Sequence, residues 1–126
     1  MEEHNKYILN NLSDTLSNSD NNVFLYAHLY MPHSPIIFRP NIKLLPNNID
    51  NYYLYWNFTN VKLKNLLSDL TRDNKYRIII TGDHGFKGGH NINPNFTFSA
   101  FYGFDKSLVD ESISIQDFGL LIKNSN

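Results

Sequence analysis

The chain has 126 residues, a formal net charge of −1 and no cysteine. This length favours a single domain, and 41% hydrophobic with 18% charged residues is typical of a globular protein rather than a disordered one. Because no cluster of lysine and arginine stands out, we do not expect a nucleic-acid-binding protein, and the missing cysteines exclude disulfides and thiolate metal sites.

The first elements along the chain are a helix and a strand. Apolar side chains recur at i, i+4 and i+8 over residues 8–16, which predicts one helical face, and the polar stretch 17–22 ends that helix. Residues 23–30 are a near-continuous apolar and aromatic run, which predicts a strand buried on both faces as in a parallel sheet. The proline-containing residues 36–48 are expected to form an extended loop.

The second half begins with a longer helix. Apolar residues fall at mainly helical spacing from about residue 50 to 72, and its aromatic side chains are interpreted as packing residues. Residues 77–81 are a short apolar strand, followed by a loop over 82–95 that contains four glycines. Residues 96–102 have apolar side chains at period two and predict a third strand.

The last predicted element is a helix. Ser114 would cap it, with Asp117 three residues on as in a capping box. Its buried face would be Phe118, Leu121 and Ile122. The order helix, strand, helix, strand, strand, helix predicts an α/β fold with a mostly parallel sheet flanked by helices. Since sheets usually have about five or six strands, the few strands here indicate part of a larger domain.

The strongest chemical signal is the turn after the strand at 77–81. Asp83 and His84 stand side by side in it, and we attribute a sharp turn to Gly82 and Gly85 on either side. A carboxylate with an imidazole suits Zn²⁺ or Mn²⁺. The alternative is a strand-end turn in which Asp83 accepts backbone hydrogen bonds and His84 faces solvent.

Other histidines and one lysine are candidates for contact with an anion. His33 lies between two prolines, which fix its backbone and aim its imidazole at a metal or an anionic oxygen, unless it is only a surface residue. His90 and Lys87 lie in the glycine-containing loop, close in sequence to Asp83, where solvated side chains are the alternative for both. His28, inside the predicted strand, is interpreted as a core or edge histidine.

Taken together, these motifs resemble the sulfatase-like proteins of the alkaline phosphatase superfamily, among them bacterial membrane sulfatases and phosphoethanolamine and phosphoglycerol transferases. Residues 24–38 resemble the family's strand and His-Pro turn, and residues 78–86, with Thr-Gly-Asp-His-Gly, resemble its metal-binding strand end. Residues 96–102 and 116–122 are similar to the next strand and the ending helix. The resemblance covers about residues 20–123.

The resemblance implies a role for each candidate. Asp83 and His84 would bind a divalent metal, with Zn²⁺ or Mn²⁺ preferred over Ca²⁺ or Mg²⁺, and two ligands would hold it only weakly. His33 would be the catalytic residue that contacts the phosphate or sulfate. His90 would be a further contact, and Lys87, on its own chemistry, would add positive charge. In the family, the metal activates a threonine, serine or formylglycine nucleophile.

The family's nucleophile and first acidic ligands precede the strand that corresponds to residues 23–30, where this chain has only about 22 residues. We therefore interpret residues 1–126 as one truncated sulfatase-like domain, inactive alone, that would act on phosphate or sulfate esters when a partner chain completes it. No signal peptide or membrane span is expected, although the relatives are anchored in membranes and face the periplasm or exterior.

Two other functions stay open at this point. The chain would be a non-catalytic interaction module if its open sheet edge pairs with a partner chain or with itself. It would be a small free-standing metal-dependent phosphoesterase if Thr81 or Ser34 lies within reach of the metal and serves as the nucleophile.

Overall fold

The computed structural model describes residues 1–19, 21–36, 45–87, 93–109 and 113–125. Its elements in chain order are helix α1 (Glu2–Ser17), helix α2 (Ile49–Leu70), strand β1 (Ile78–Thr81), strand β2 (Ser99–Tyr102) and helix α3 (Phe118–Asn124). Single 3-10 turns at Lys106–Leu108 and Ile115–Asp117 precede α3. The fold is thus a mixture of helices and one small sheet, α/β only in the broad sense.

The three predicted helices are confirmed. Helix α1 half-buries Ile8, Leu12 and Leu16, the apolar face expected from their spacing. Helix α2 begins where the Asn48 side chain accepts a hydrogen bond of 2.9 Å from the Asn51 amide. An asparagine cap of this kind satisfies a backbone donor that the first turn cannot pair internally.

The C-terminal helix begins as its capping residues predict. The Asp117 carboxylate accepts hydrogen bonds from the Ser114 amide at 3.0 Å and from the Ser114 hydroxyl at 2.6 Å. The chain first makes a 3-10 turn and then continues as α3, which buries Leu121 and half-buries Phe118 and Ile122.

The sheet is antiparallel, so the prediction of a mostly parallel sheet is wrong. Strands β1 and β2 pair with Ile78 opposite Tyr102 and Thr81 opposite Ser99. A parallel pair requires a crossover of a dozen or more residues that carries the chain back along the sheet, usually as a helix. Within the described part of the 82–98 connection there is no helix, and the chain simply reverses direction.

The prediction of a buried strand at residues 23–30 is also wrong. This stretch belongs to no strand, and the side chains of Phe24 and Tyr26 are 75% and 77% exposed. An apolar run of this kind becomes a central strand only where strands lie on both sides of it, and neither β1 nor β2 pairs with it. We call residues 23–30 the aromatic segment below.

The third predicted strand is only partly formed. Residues 99–102 pair as β2, whereas Phe96 and Phe98 precede it with exposed side chains. In the predicted loop at 36–48, an isolated bridge joins buried Ile36 to Leu45, whose amide donates to the Ile36 carbonyl at 3.4 Å. Residues 37–44 of that loop lie outside the described residues.

The core is small. Among the described residues, the buried apolar side chains are Ile36, Tyr55, Leu70, Phe86 and Leu121. Tyr55 and Leu70 belong to α2, and Phe86 follows the turn after β1, so the middle of the chain supplies most of this core. None of the described helices is long and apolar enough to cross a membrane.

Candidate functional site

The turn after β1, residues 82–85, is held in place by the segment that leads into β2. The Gly82 amide donates to the Phe98 carbonyl at 3.0 Å, and the Gly85 amide donates to the Pro94 carbonyl at 2.7 Å. These two bonds enclose Asp83 and His84. The backbone that carries both candidate metal ligands is therefore fixed at each end.

The two glycines of this turn are required for close packing and not for a left-handed backbone. A Cβ on Gly85 would lie 2.5 Å from the Phe96 carbonyl oxygen, and one on Gly82 would collide with the Thr97 hydroxyl. Of the described glycines, Gly103 is the one with a positive φ. In addition to flanking the turn at Asp83 and His84, Gly82 and Gly85 leave the space that residues 96 and 97 occupy.

Asp83 and His84 are both exposed, with the His84 Nε2 3.8 Å from the Asp83 Oδ2. The His84 Nδ1 donates a hydrogen bond of 2.7 Å to the Gly85 carbonyl oxygen. Because a carbonyl only accepts, this bond requires a proton on Nδ1, and in the neutral ring Nε2 then carries the lone pair, on the side of the Asp83 carboxylate. A backbone carbonyl bonded to the second ring nitrogen is also what metal-binding histidines commonly have.

His33 is held in a similar way. It is exposed, and its Nδ1 donates to the carbonyl of the next residue, Ser34. Its ring meets the Tyr30 ring edge-on at 6.2 Å between centroids. His33 lines a small surface depression together with Met1, Glu2, Tyr30, Pro35 and Tyr55. Its Nε2 is thus the nitrogen left to contact an external anion or metal.

Helix α2 supports both histidine-bearing loops. The Tyr52 ring packs against the Phe86 ring, two residues after His84, at 4.5 Å between centroids. Tyr55, one turn further along α2, lines the depression that contains His33. Side chains at i and i+3 lie on the same helical face. On one face of α2, Tyr52 thus packs against the loop after β1, and Tyr55 lies at the depression beside His33.

Burial raises the pKa of both tyrosines above the ordinary value. For Tyr52 the neighbouring Tyr53 adds to this effect, and for Tyr55 the negative charge of Glu2 does so. The depression at His33 thus has the Glu2 carboxylate at its margin, near the Tyr55 phenol. An anion at His33 would have to approach against that negative charge.

The remaining candidates are less closely tied to this site. Lys87 is exposed, one residue after Phe86, and His90 lies outside the described residues. His28 is exposed and stacks on Tyr30 at 4.6 Å, so it is not a core histidine, and since residues 23–30 form no strand it does not lie at a sheet edge either. Across the described ranges, no group of three or more histidine or acidic side chains is placed to hold one metal ion.

Two hydroxyl groups, those of Thr81 at the end of β1 and Ser99 at the start of β2, face each other beside the Asp83–His84 turn. The Thr81 hydroxyl is 2.8 Å from the Ser99 hydroxyl across the sheet and donates to the Gly82 carbonyl at 3.1 Å. Thr81 is one of the two nucleophile candidates, and its hydroxyl oxygen is hydrogen-bonded to both the Ser99 hydroxyl and the Gly82 carbonyl. Ser99 was not identified as a candidate, because only the strand register places it opposite Thr81.

The chain matches no protein-family model, no curated protein and no solved structure. The chemistry of the site is therefore inferred from its own residues.

Proposed function

We propose that this chain contributes half of the divalent-metal site of a sulfatase-like ester hydrolase or phosphotransferase. Asp83 and His84 are the two ligands, and the remaining ligands and the nucleophile come from polypeptide other than these 126 residues. The observation that supports this proposal best is the hydrogen bond from His84 Nδ1 to the Gly85 carbonyl, which leaves Nε2 and the Asp83 carboxylate side by side.

The donor set fits a metal such as zinc or manganese. Two ligand atoms that bind one zinc ion at about 2.0 Å with a tetrahedral angle lie about 3.3 Å apart. The 3.8 Å between His84 Nε2 and Asp83 Oδ2 closes to that value with a small rotation of the exposed Asp83 side chain. When bound, the metal would supply positive charge that polarises a phosphate or sulfate ester.

The chain's other residues would bind and orient the ester. His33, with its Nδ1 fixed by the Ser34 carbonyl, presents Nε2 outward and would in its protonated form donate to an anionic oxygen, with the Glu2 carboxylate at the margin of the depression opposing this binding. Lys87 would add a second positive charge near the Asp83–His84 turn, and His90 is the further candidate contact on the same loop. These groups bind the anion but supply no nucleophile.

Two protein ligands do not hold a metal tightly, since catalytic zinc sites use three and structural sites four. We therefore expect weak metal binding by the isolated chain and ester cleavage at the background rate. A free-standing phosphoesterase with Thr81 as nucleophile is less consistent with the structure, because the Thr81 oxygen is engaged with Ser99 and Gly82.

The test is a titration of the purified chain with Zn²⁺ and with Mn²⁺, measured by calorimetry and, for Zn²⁺, also by the NMR signals of the His84 ring. Asp83→Asn and His84→Gln remove one ligand each with little change in side-chain size. Asp73→Asn is the matched control, because Asp73 is also an exposed aspartate in a turn. At a metal concentration about 100 times the dissociation constant, the free energy of unfolding should rise by about 2.7 kcal/mol.

The proposal predicts that both ligand variants lose this stabilisation and that Asp83→Asn also loses the shift of the His84 signals, while Asp73→Asn keeps both. It is wrong if metal neither binds nor shifts the His84 ring, or if Asp83→Asn binds as well as the wild type. Rapid metal-dependent ester cleavage by the pure chain would contradict the requirement for other polypeptide.

A further inference from the structure

The aromatic segment (residues 23–30) has the side-chain alternation of a strand without a strand partner. The rings of Tyr26, His28 and Tyr30 contact one another in sequence, with centroids 6.3 and 4.6 Å apart. Contact between residues i and i+2 means that their side chains leave the backbone on the same side, as in extended chain. These rings are exposed, whereas Leu25 and Leu29, at odd-numbered positions of the segment, are half-buried, and Ala27 between those two is exposed.

One backbone edge of this segment is already occupied by α1. The His4 Nε2 donates to the His28 carbonyl at 3.1 Å, and the Asn5 side chain bonds both the amide and the carbonyl of Tyr30. In extended chain the amide and carbonyl of alternate residues point to the same edge. Helix α1 therefore covers the edge that belongs to the even-numbered residues near the end of the segment.

The opposite edge has no protein partner in the described part of the chain. It carries the amides and carbonyls of Leu25, Ala27 and Leu29, none of which makes a hydrogen bond with a described residue. Backbone groups of this kind are a template for pairing with another strand. No lysine, arginine or acidic residue lies between residues 21 and 36, so the charges that normally prevent such pairing are missing.

We propose that a second copy of this chain pairs with this edge, antiparallel, about a two-fold axis at Ala27. The sequence is self-complementary about that residue. Leu25 would face Leu29 of the second copy, Tyr26 would face His28, and Phe24 would face Tyr30. Ala27 would face itself in a hydrogen-bonded pair, and a small side chain at the axis avoids a steric conflict there.

The aromatic segment itself offers exposed apolar surface for such a dimer, since the side chains of Val23, Phe24, Tyr26 and Tyr30 are all exposed. A standard interface removes about 800 Å² from each partner. A single-stranded nucleic acid, which also stacks on aromatic rings, fits less well because residues 21–36 offer no lysine or arginine to its phosphates.

The test is sedimentation equilibrium of the full chain over a range of concentrations, with a chelator present so that no metal bridges two copies at Asp83. We expect a monomer–dimer equilibrium. Ala27→Lys and Ala27→Glu should each weaken the dimer by roughly five-fold or more, because like charges then face each other across the axis. Ala27→Thr is the neutral control, and it should dimerise like the wild type. Circular dichroism would verify that each variant is folded.

The decisive measurement is the equimolar mixture of the Ala27→Lys and Ala27→Glu chains, which should dimerise at least as well as the wild type. A chain that stays monomeric at every concentration overturns the proposal. So does a dimer that the charged variants do not weaken, or one that the mixture does not restore, because Ala27 then does not face itself. The proposal is independent of the metal half-site, and the chelator keeps the two outcomes separate.

Discussion

The side chain of Asn5 forms two hydrogen bonds with the peptide groups of Tyr30, as a neighbouring strand would. Its Nδ2 donates to the Tyr30 carbonyl at 3.0 Å, and its Oδ1 accepts from the Tyr30 amide at 2.8 Å. Asn5 is a buried polar residue, and its burial is tolerated because its side-chain amide nitrogen and oxygen both have hydrogen-bond partners. This pair attaches the end of the aromatic segment to the first turn of α1.

Replacement of Asn5 should destabilise the protein. In Asn5→Ala the Tyr30 amide and carbonyl lose both partners at a part-buried position, which should lower the free energy of unfolding by about 1–3 kcal/mol. Urea denaturation measures the change. Asn10→Ala, on an exposed position of the same helix, is the control and should stay within about 0.5 kcal/mol of the wild type. Equal effects of the two substitutions would contradict the role given to Asn5.

A methyl group on Gly85 should disturb the Asp83–His84 turn. The added Cβ would lie 2.5 Å from the Phe96 carbonyl, so the backbone has to move, at a cost of about 1–3 kcal/mol. The movement also displaces the Gly85 carbonyl that fixes the His84 ring. Gly85→Ala should therefore lower the thermal midpoint and shift the His84 signals in NMR spectra.

The matched control for Gly85 is Gly119, in α3. A Cβ there meets nothing within 4 Å, and alanine is favoured over glycine in a helix by roughly 0.5–1 kcal/mol. Gly119→Ala should leave stability unchanged or raise it, with no effect on His84. If both substitutions behave alike, the close approach of Phe96 to Gly85 is not the reason for a glycine in the turn.

The pKa of Asp117 depends on Ser114. The hydroxyl and the amide of Ser114 both donate to the Asp117 carboxylate and hold its pKa below the ordinary value. The pKa of Asp117 is lower in the folded than in the unfolded chain. The ionised carboxylate therefore stabilises the fold at pH values above the unfolded pKa, and this stabilisation is lost as the pH falls through the folded-state pKa. Ser114→Ala should therefore raise the Asp117 pKa in an NMR titration.

Asp105 provides an internal reference in the same titration. Its pKa is likewise lowered, by hydrogen bonds from the amide and hydroxyl of Ser107. Ser114→Ala should leave the Asp105 pKa unchanged, and Ser107→Ala should have the reverse pattern. A pKa of Asp117 that does not move in Ser114→Ala would show that its capping bonds do not hold in solution.

The alkaline titration of Tyr55 tests the packing beside His33. Burial and then the charge of Glu2 raise the pKa of Tyr55 above its ordinary value. A raised folded-state pKa gives stabilisation that is complete below the unfolded pKa and is lost as the pH rises through the folded value. Glu2→Gln should lower the Tyr55 pKa, measured by phenolate absorbance against a Tyr55→Phe reference. Glu3→Gln is the control and should have no effect.

Local sequence patterns predicted the helices well. The i, i+4 spacing of α1 and the residues Ser114 and Asp117 before α3 act over one or two turns, so the neighbouring residues contain the required information. The aromatic segment was predicted wrongly for the opposite reason. Its composition is that of a buried strand, but burial depends on strands elsewhere in the chain, and none pairs with it.

For the candidate site, the sequence identified Asp83, His84 and His33 as residues of interest but could not supply their surroundings. Each Nδ1 donates a hydrogen bond to the carbonyl of the very next residue, which requires a particular local backbone conformation. The packing of α2 against the loop after β1 requires the Tyr52–Phe86 contact across about thirty residues. Their roles in metal and anion binding stay predictions.

The sequence by itself determined which stretches are helical and where they are capped, because helix formation depends on groups within a few residues of each other. Only the tertiary structure decided that β1 and β2 run antiparallel and that the aromatic segment lies exposed. It also decided that residues 96 and 97 lie against Gly82 and Gly85, where a Cβ would collide with them. Those features depend on contacts between residues far apart in the chain, which no local pattern encodes.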